Sequence, residues 1–361
     1  MEWLINAVYY VVPFIVLLGV LVFVHELGHY LMAKFTGVKV DEFSIGFGKK
    51  LWGFTDRSGT EWKICAIPLG GYCKFLGDGD AASSTDESAS VAEEDKKYAG
   101  PAANYVFAIL VFAGVFFFLG KVDFPAVVGE VIKGGAAEQA GVLAGDRILK
   151  VNGKAVNSFA EVRQEVDMNT AEKVGLEIKR GEQLITLSFP LKVIPLEEEV
   201  NQPAEPKAML GIRSVNIVEV QPSQISLAAA FRDATLETWR ITEMTLRGVG
   251  QMITGKRDAD EVGGIIRIAE MSGDISKQSG FLDLLIFAAL LSINLGLINL
   301  FPIPLLDGGH VVIYLIEIVT GKELNETVKD YVFKFGLFLI ISLMVFATYN
   351  DFARLFHRWF S

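Results

Sequence analysis

The sequence predicts a polytopic α-helical membrane protein with about four transmembrane helices, a membrane-associated β-hairpin region and one inserted α+β domain. Three observations support this fold class. The chain has 361 residues, of which 51% are hydrophobic, and a mean hydropathy of +0.39, which is more apolar than a soluble domain of this size. Four separate stretches are apolar enough to span a bilayer. Short strand-like segments and helix-like segments alternate between the second and third of them.

The predicted spans cover residues 5–33, 101–120, 282–301 and 332–350. A hydrocarbon core of about 30 Å needs about 20 helical residues, and each stretch meets or approaches that length. The second span starts at Pro101, which suits a first helical turn because its missing N–H would be unpaired there. The first stretch lacks the basic leading segment and the small-residue cleavage site of a signal peptide. We therefore expect it to stay in the mature protein.

Basic residues near the helix ends predict the orientation. The segment between the first two spans is rich in lysine, which places it in the cytoplasm. With four spans, the N-terminus, residues 121–281 and the C-terminus then lie outside the cytoplasm. Residues 302–331 lie in the cytoplasm. Arg354 and Arg358 near the C-terminal end oppose this assignment.

The segments between the spans differ in character. Residues 38–77 are rich in aromatic residues, β-branched residues and glycine, and we predict two β-hairpins with turns near Gly48–Lys50 and Gly70–Gly71. Residues 223–255 carry apolar side chains at helical spacing with charges between them, and we predict an amphipathic helix on the membrane surface or against the soluble domain.

The predicted division of the chain follows from these patterns. It runs 1–37 (first span), 38–77 (β-hairpins), 78–97 (acidic linker), 98–121 (second span), 122–195 (α+β domain), 196–222 (linker), 223–255 (amphipathic helix), 256–281 (connector), 282–301 (third span), 302–331 (loop and cytoplasmic segment) and 332–361 (fourth span and C-terminus).

Charge and cysteine content exclude some functions. The net charge of −10 argues against nucleic acid as a partner. Much of the acid lies in 78–97 and 196–206, which we interpret as solvated linkers. Cys65 and Cys73 are too few for a disulfide framework, and we expect free thiols.

The first span contains a cluster of groups that are costly in hydrocarbon: His25, Glu26 and His29 in "HELGH". The two histidines are four residues apart, so they project from one helix face. Two neutral imidazoles and one further ligand bind zinc tetrahedrally and leave a position for water, whose proton an adjacent carboxylate can accept. This is the chemistry of the H-E-x-x-H motif. The alternative, a helix with packed polar groups, is disfavoured inside a membrane span.

A third ligand must come from elsewhere, and "NLFPIPLLDGGH" at 299–310 offers Asp307 and His310. This segment follows the predicted cytoplasmic end of the third span, at the depth of His25 and His29. Pro302 and Pro304 stop the helix before Asp307. We interpret the following two glycines as permitting a tight turn, and His310 as a supporting or structural residue.

Three motifs and one domain together resemble a known family. "HELGH", "AGPAAN" at 99–104 and "NLFPIPLLDGG" at 299–309 resemble the site-2 protease family of intramembrane zinc metalloproteases. The stretch "GGAAEQAGVLAGDRILKVNGKAV" resembles the circularly permuted PDZ domain of the regulator-of-sigma-E protease branch. The match covers nearly the whole chain in the same order.

The resemblance implies one Zn²⁺ per chain, bound by His25, His29 and Asp307, with Glu26 as the general base. It implies that Asn294 and Asn299 engage the substrate backbone and that 38–77 helps to hold substrate. For Asn299 helix capping remains an alternative, and for Asn294 interhelical packing. The implied substrates are transmembrane segments of proteins such as anti-sigma factors or remnant signal peptides. The implied location is the bacterial cytoplasmic (inner) membrane, in contact with lipid, with the PDZ domain on the extracytoplasmic side.

The chain departs from the family pattern in two places. It has one PDZ domain where some relatives have two, and Gly263–Gly264–Ile265 stands where Gly-Gly-Pro is usual. The PDZ domain could bind peptide C-termini, filter substrates by size or act as a spacer. Two other functions are disfavoured: a different membrane zinc protease, such as a prenyl-protein protease, by the PDZ insert and "LDGG", and an inactive scaffold that presents a PDZ domain, by the intact Glu26. The sequence leaves the oligomeric state open.

Overall fold

The computed structural model describes residues 2–76, 99–120, 125–168, 173–190, 192–193, 208–214, 225–257, 263–278, 280–322 and 324–360. The acidic segments 78–97 and 196–206 lie outside these residues. The chain divides into two compact units, which are described separately. The first comprises Met1–Phe116, Ser226–Val249 and Asp258–Ser361, and the second Phe117–Ile225 and Gly250–Arg257.

Long helices dominate the first unit. They are α1 (Glu2–Phe35), α2 (Ala99–Leu119), α5 (Leu227–Ile253), α6 (Ile265–Gln278), α7 (Phe281–Asn299), α8 (Asp307–Thr320) and α9 (Glu326–Phe360). Within the described residues, four segments are long and apolar enough to cross a membrane: Val8–Phe35, Ala99–Leu119, Phe281–Asn299 and Thr327–Phe356. The four predicted spans are thus confirmed as long apolar helices.

The β region consists of two long strands, β1 (Val40–Thr55) and β2 (Glu61–Phe75). The chain reverses near both predicted turns, at 46–49 and 65–70, and again at 56–60. The pairing differs from two separate hairpins, because 42–45 runs parallel to 61–64 and antiparallel to 71–74, while 50–55 is antiparallel to 61–65. Gly46, Gly48 and Gly70 adopt positive φ at the two predicted reversals. Phe43 pairs with both Cys73 and Trp62, so the first half of β1 is flanked on both sides.

Helix α5 packs into the helix bundle. Its side chains Ala234 and Ile241 share a core with α2 and α7, whose members are Ala108, Phe112, Ala113, Ala289 and Ile293. This face therefore packs against other helices, whereas the C-terminal end of α5 belongs to the second unit, where Gln251 donates to the backbone carbonyl of Met168 at 2.7 Å. Small side chains explain the packing, because alanines let the helix backbones approach closely.

Helix α6 occupies the predicted connector, and hydrogen bonds with α9 and α1 hold it in place. Asp351 of α9 is 1% exposed and accepts hydrogen bonds from the backbone N–H groups of Gly264, Ile266 and Arg267, at 3.0–3.2 Å. It therefore caps the helix N-terminus from a different helix. Tyr10 of α1 donates to Asp274 on α6 at 2.8 Å.

The second unit is a small α+β structure. It contains β3 (Val128–Val131), α3 (Ala136–Gln139), β4 (Arg147–Val151), β5 (Lys154–Ala155), α4 (Phe159–Asp167), β6 (Lys173–Arg180), β7 (Gln183–Pro190), β8 (Lys192–Val193), β9 (Ala208–Met209) and β10 (Ile212–Ser214). Strands β5–β4–β6–β7 form one antiparallel sheet, β10 pairs with β3, and β8 pairs with β9. Residues 208–214, assigned to the linker above, thus belong to this unit. Its core includes Ile148, Leu176 and Ile178, all fully buried.

Candidate metal centre

Helix α1 carries the first two candidate ligands on one face. His25 and His29 lie one turn apart, and their Nε2 atoms are 3.3 Å apart. Each side chain is 12% exposed. The i, i+4 spacing therefore directs both ring nitrogens to one point, as the sequence predicts.

Asp307 reaches the same point from the first turn of α8. Its Oδ2 lies 3.3 Å from His25 Nε2 and 3.6 Å from His29 Nε2. Burial by itself would raise the pKa of this carboxyl, but the contacts with the two imidazoles outweigh it and hold the pKa below its usual range. These contacts thus favour the ionised carboxylate, which is the form that binds a cation.

The two glycines after Asp307 serve close packing. The predicted tight turn there is wrong, because Gly308 and Gly309 lie inside helix α8. A Cβ on Gly308 would collide with the carbonyl oxygens of Leu300 and Phe301, and one on Gly309 with that of Ile303. The strained backbone lies two residues before Asp307, where Leu305 has a φ of 84°. The preceding loop thus folds against the start of α8 and sets the position of the carboxylate.

The spacing of the three atoms fits zinc. Tetrahedral zinc with bonds of about 2.0–2.1 Å requires neighbouring ligand atoms about 3.3–3.4 Å apart. The observed separations are 3.3, 3.3 and 3.6 Å. Two imidazoles and one carboxylate are also the donor set of catalytic zinc sites that keep an open position. These side chains could therefore hold a zinc ion.

Glu26 lies beside the β region. Its side chain is buried, at 8% exposure. A Cβ added to Gly71 of β2 would lie 3.1 Å from Glu26 Cγ, 2.7 Å from Val22 Cγ1 and 2.6 Å from the carbonyl oxygen of Ser44. Only glycine fits here, so the β2 backbone passes directly against the glutamate.

A network centred on Asp56 fastens the strand reversal to α1. Its carboxylate accepts hydrogen bonds from Tyr30 of α1 at 2.9 Å and from Trp62 at 3.1 Å, and from Ser58 and Thr60 of the turn. Burial would raise the pKa of Asp56, but these bonds outweigh it and keep the pKa below its usual range. The β region is therefore held in place relative to the metal centre.

Helix α2 contributes contacts that the sequence argument missed. A Cβ on Gly28 would collide with the carbonyl oxygen of Ala99, and one on Gly100 would lie 2.7 Å from His25 Nε2 and closer still to His29 Nε2. The start of α2 therefore lies flush against the ligands. "AGPAAN" was the available signal, but a motif alone does not reveal what its glycine touches.

The asparagines of α7 lie in different surroundings. Asn299 Nδ2 is 3.4 Å from His25 Nδ1, so this residue borders the metal centre. Asn294 Oδ1 accepts a hydrogen bond from Thr245 of α5 at 3.0 Å. His310, the other candidate ligand, is outside the three-residue cluster, and its ring lies 5.2 Å from that of Phe333.

Sequence comparisons extend the similarity to the whole chain. The sequence model of the family described as Peptidase family M50 matches residues 13–343. A relative from Agrobacterium fabrum is 39% identical over 96% of each chain, and one from Rickettsia conorii is 41% identical over 96% of this chain and 99% of its own. Both are named as zinc metalloproteases. The metalloprotease MmpA of Caulobacter vibrioides is 33% identical over 95% of each chain.

Proposed function

The chain belongs to peptidase family M50, the site-2 protease family, and is a membrane zinc metalloprotease. We propose that it is an intramembrane endopeptidase, which cleaves transmembrane segments of other proteins. One observation carries the proposal. His25 and His29 lie within an apolar helix that is long enough to cross a membrane, and Asp307 meets them with the atom spacing of a zinc site, beside the buried Glu26. A protease site within a membrane span is placed to act on membrane-embedded segments.

The proposed roles follow from chemistry and position. His25, His29 and Asp307 hold the zinc ion. A zinc ion at this position would supply a Lewis acid that lowers the pKa of water toward neutrality. Glu26 accepts the water proton and passes it to the leaving amine. Its burial keeps bulk water from competing for that proton.

A helical substrate must unwind before its carbonyl can be attacked, because helical hydrogen bonds occupy the backbone. We propose that the unwound segment lies along the β2 edge near Gly71, where strand pairing replaces the lost hydrogen bonds. The contact between this backbone and Glu26 supports the location. Asn299 and Asn294 would then bind the substrate main chain, and Asn294 offers Nδ2 while Thr245 occupies its Oδ1. Prolines introduced within 64–76 should reduce cleavage, and an unchanged rate would contradict strand pairing.

The physiological setting follows from the resemblance. We propose that the protein resides in the bacterial cytoplasmic (inner) membrane and acts on anti-sigma factors or remnant signal peptides. The second unit is proposed to be a PDZ domain on the extracytoplasmic side, which admits substrates already shortened there. Grafting a bulky folded domain onto the outer end of a substrate should then block cleavage, and deleting the second unit should relieve the block.

The decisive experiment separates metal binding from catalysis. The purified wild-type protein should contain about one zinc per chain and cleave a model transmembrane peptide. Asp307→Ala should lose both properties, whereas Glu26→Gln should keep the zinc and lose cleavage. Full activity in Glu26→Gln, or full zinc content in Asp307→Ala, would overturn the assigned roles.

A further inference from the structure

Asn104 of α2 is a buried polar residue with an unused acceptor beside the metal centre. Its side chain is 0% exposed, and its Nδ2 lies 3.1 Å from His25 Nδ1. Among the described residues, its Oδ1 has no hydrogen-bond partner. A buried carbonyl oxygen without a donor costs about 1–3 kcal/mol, so its position calls for an explanation.

The tautomer of His25 explains the unpaired oxygen of Asn104. His25 Nε2 is the atom near Asp307 and His29, so it must present a lone pair to a metal there. A neutral imidazole then carries its proton on Nδ1, which becomes a donor. An Asn amide has nearly the same shape when its oxygen and nitrogen are exchanged. The exchange places Oδ1 opposite the Nδ1–H and supplies the partner that Oδ1 lacks.

Asn299 does not fill this role. Its Nδ2 lies 3.4 Å from His25 Nδ1 and 3.5 Å from Nε2. An atom nearly equidistant from both ring nitrogens is not on the in-plane axis of either, so it cannot make a well-directed hydrogen bond to Nδ1. Asn104 is nearer to Nδ1.

The surroundings of Asn104 hold it in place. It lies one helical turn after Gly100, on the face of α2 that touches the ligands. Its backbone carbonyl accepts a hydrogen bond from Ser292 of α7 at 3.0 Å, and Ser292 is itself fully buried. The backbone that carries the Asn104 side chain is thus anchored to α7.

We propose that Asn104 is a positioning residue whose Oδ1 accepts a hydrogen bond from the Nδ1–H of His25, and that this bond fixes the tautomer and orientation in which Nε2 binds zinc. The inference rests on the zinc site of the proposed function. Hydrogen-bond partners of ligating histidines are worth about 10–100-fold in metal affinity.

The test compares zinc affinities by chelator competition on the full-length protein in detergent. Asn104→Leu keeps the branched framework of four side-chain heavy atoms but removes the acceptor, so zinc should bind about 10–100-fold more weakly. Asn104→Asp keeps an acceptor at the same place and should restore binding to within a few-fold of wild type. The matched control is Ser292→Ala, which alters the same buried interface without touching His25 and should bind zinc as wild type does.

A spectroscopic readout separates positioning from packing. The chain has four histidines, so ¹⁵N-histidine labelling gives a spectrum simple enough to assign. In the zinc-loaded wild type, His25 should show a protonated Nδ1 protected from exchange with water. In zinc-saturated Asn104→Leu this protection should be lost, and in Asn104→Asp it should persist.

The outcomes distinguish a failure of the proposed zinc site from a failure of the proposed role of Asn104. If wild type binds no zinc, or Asp307→Ala binds as tightly as wild type, the zinc site itself fails. If Asp307→Ala loses zinc but Asn104→Leu binds as wild type does, only the role of Asn104 fails. Equal losses in Asn104→Leu and Ser292→Ala, or an unchanged His25 signal in Asn104→Leu, would also overturn it.

Discussion

Gly100→Ala should displace the zinc ligands through a single added methyl group. The new Cβ would lie 2.7 Å from His25 Nε2 and closer still to His29 Nε2. An ordinary contact is about 3.5 Å, so the His25 ring must retreat by about 0.8 Å and the His29 ring by more. Ligand distances in zinc sites lie within about 0.2 Å of their standard values. The rings therefore cannot both avoid the methyl group and keep their bonds to the metal.

The expected magnitude follows from the cost of overpacking. Forcing one extra methyl group into a packed site costs about 1–3 kcal/mol. If this cost falls on the metal-bound state, zinc affinity drops by about 5–150-fold, since each 1.4 kcal/mol is about a factor of ten. Cleavage activity should fall at least as far at limiting zinc. The measurement is chelator competition, with circular dichroism to confirm that the helices remain intact.

Gly114→Ala is the matched control on the same helix. A Cβ at Gly114 meets no atom within 4 Å, so this variant should bind zinc as wild type does. If Gly100→Ala binds zinc as tightly as Gly114→Ala, the ligands are not constrained by the start of α2, and the reasoning is refuted.

Three further predictions concern stability. Asp351→Ala should lower the free energy of unfolding by about 1–3 kcal/mol, seen as a lower thermal midpoint, because it leaves N–H groups at the start of α6 without a partner. Tyr30→Phe should cost about 0.5–1.5 kcal/mol by removing the hydrogen bond to Asp56. For Asp146, burial would raise the pKa, but hydrogen bonds from Arg180 outweigh it and lower the pKa. The resulting stabilisation of the second unit should be present above the unfolded pKa of about 3.9 and be lost as the pH falls toward the folded pKa. Hydrogen exchange between pH 6 and pH 3 measures it, and Asp146→Asn should flatten that dependence.

A specific result would contradict each of the three stability predictions. An unchanged thermal midpoint in Asp351→Ala would mean that water or another group replaces the carboxylate. Equal midpoints for Tyr30→Phe and wild type would show that the turn is held by strand pairing alone. A pH profile that is the same in Asp146→Asn and wild type would assign the acid sensitivity of the second unit to other groups.

The spans could be predicted because a membrane helix is a local property of the chain. About 20 apolar residues suffice to span a bilayer, and the four predicted stretches became long apolar helices. The β region was predicted as strands with turns near 48–50 and 70–71, and the chain reverses close to both, where Gly46, Gly48 and Gly70 have positive φ. The pairing of 42–45 with both 61–64 and 71–74 was not predicted, because it depends on how separate segments of the chain fold together. Periodicity likewise indicated that α5 is amphipathic but not which surface covers its apolar face.

The sequence by itself determined the paired histidines, because i and i+4 residues on any helix share a face. It also determined that Asp307 and His310 were the candidates for the third ligand. Only the tertiary structure decided that Asp307 Oδ2 comes within 3.3 Å of His25 Nε2 while His310 lies beside Phe333. Only the packing of α2 against α1 brought Gly100 and Asn104 to the same ligands. Such contacts depend on how helices distant in sequence pack, and local residue patterns do not encode that geometry.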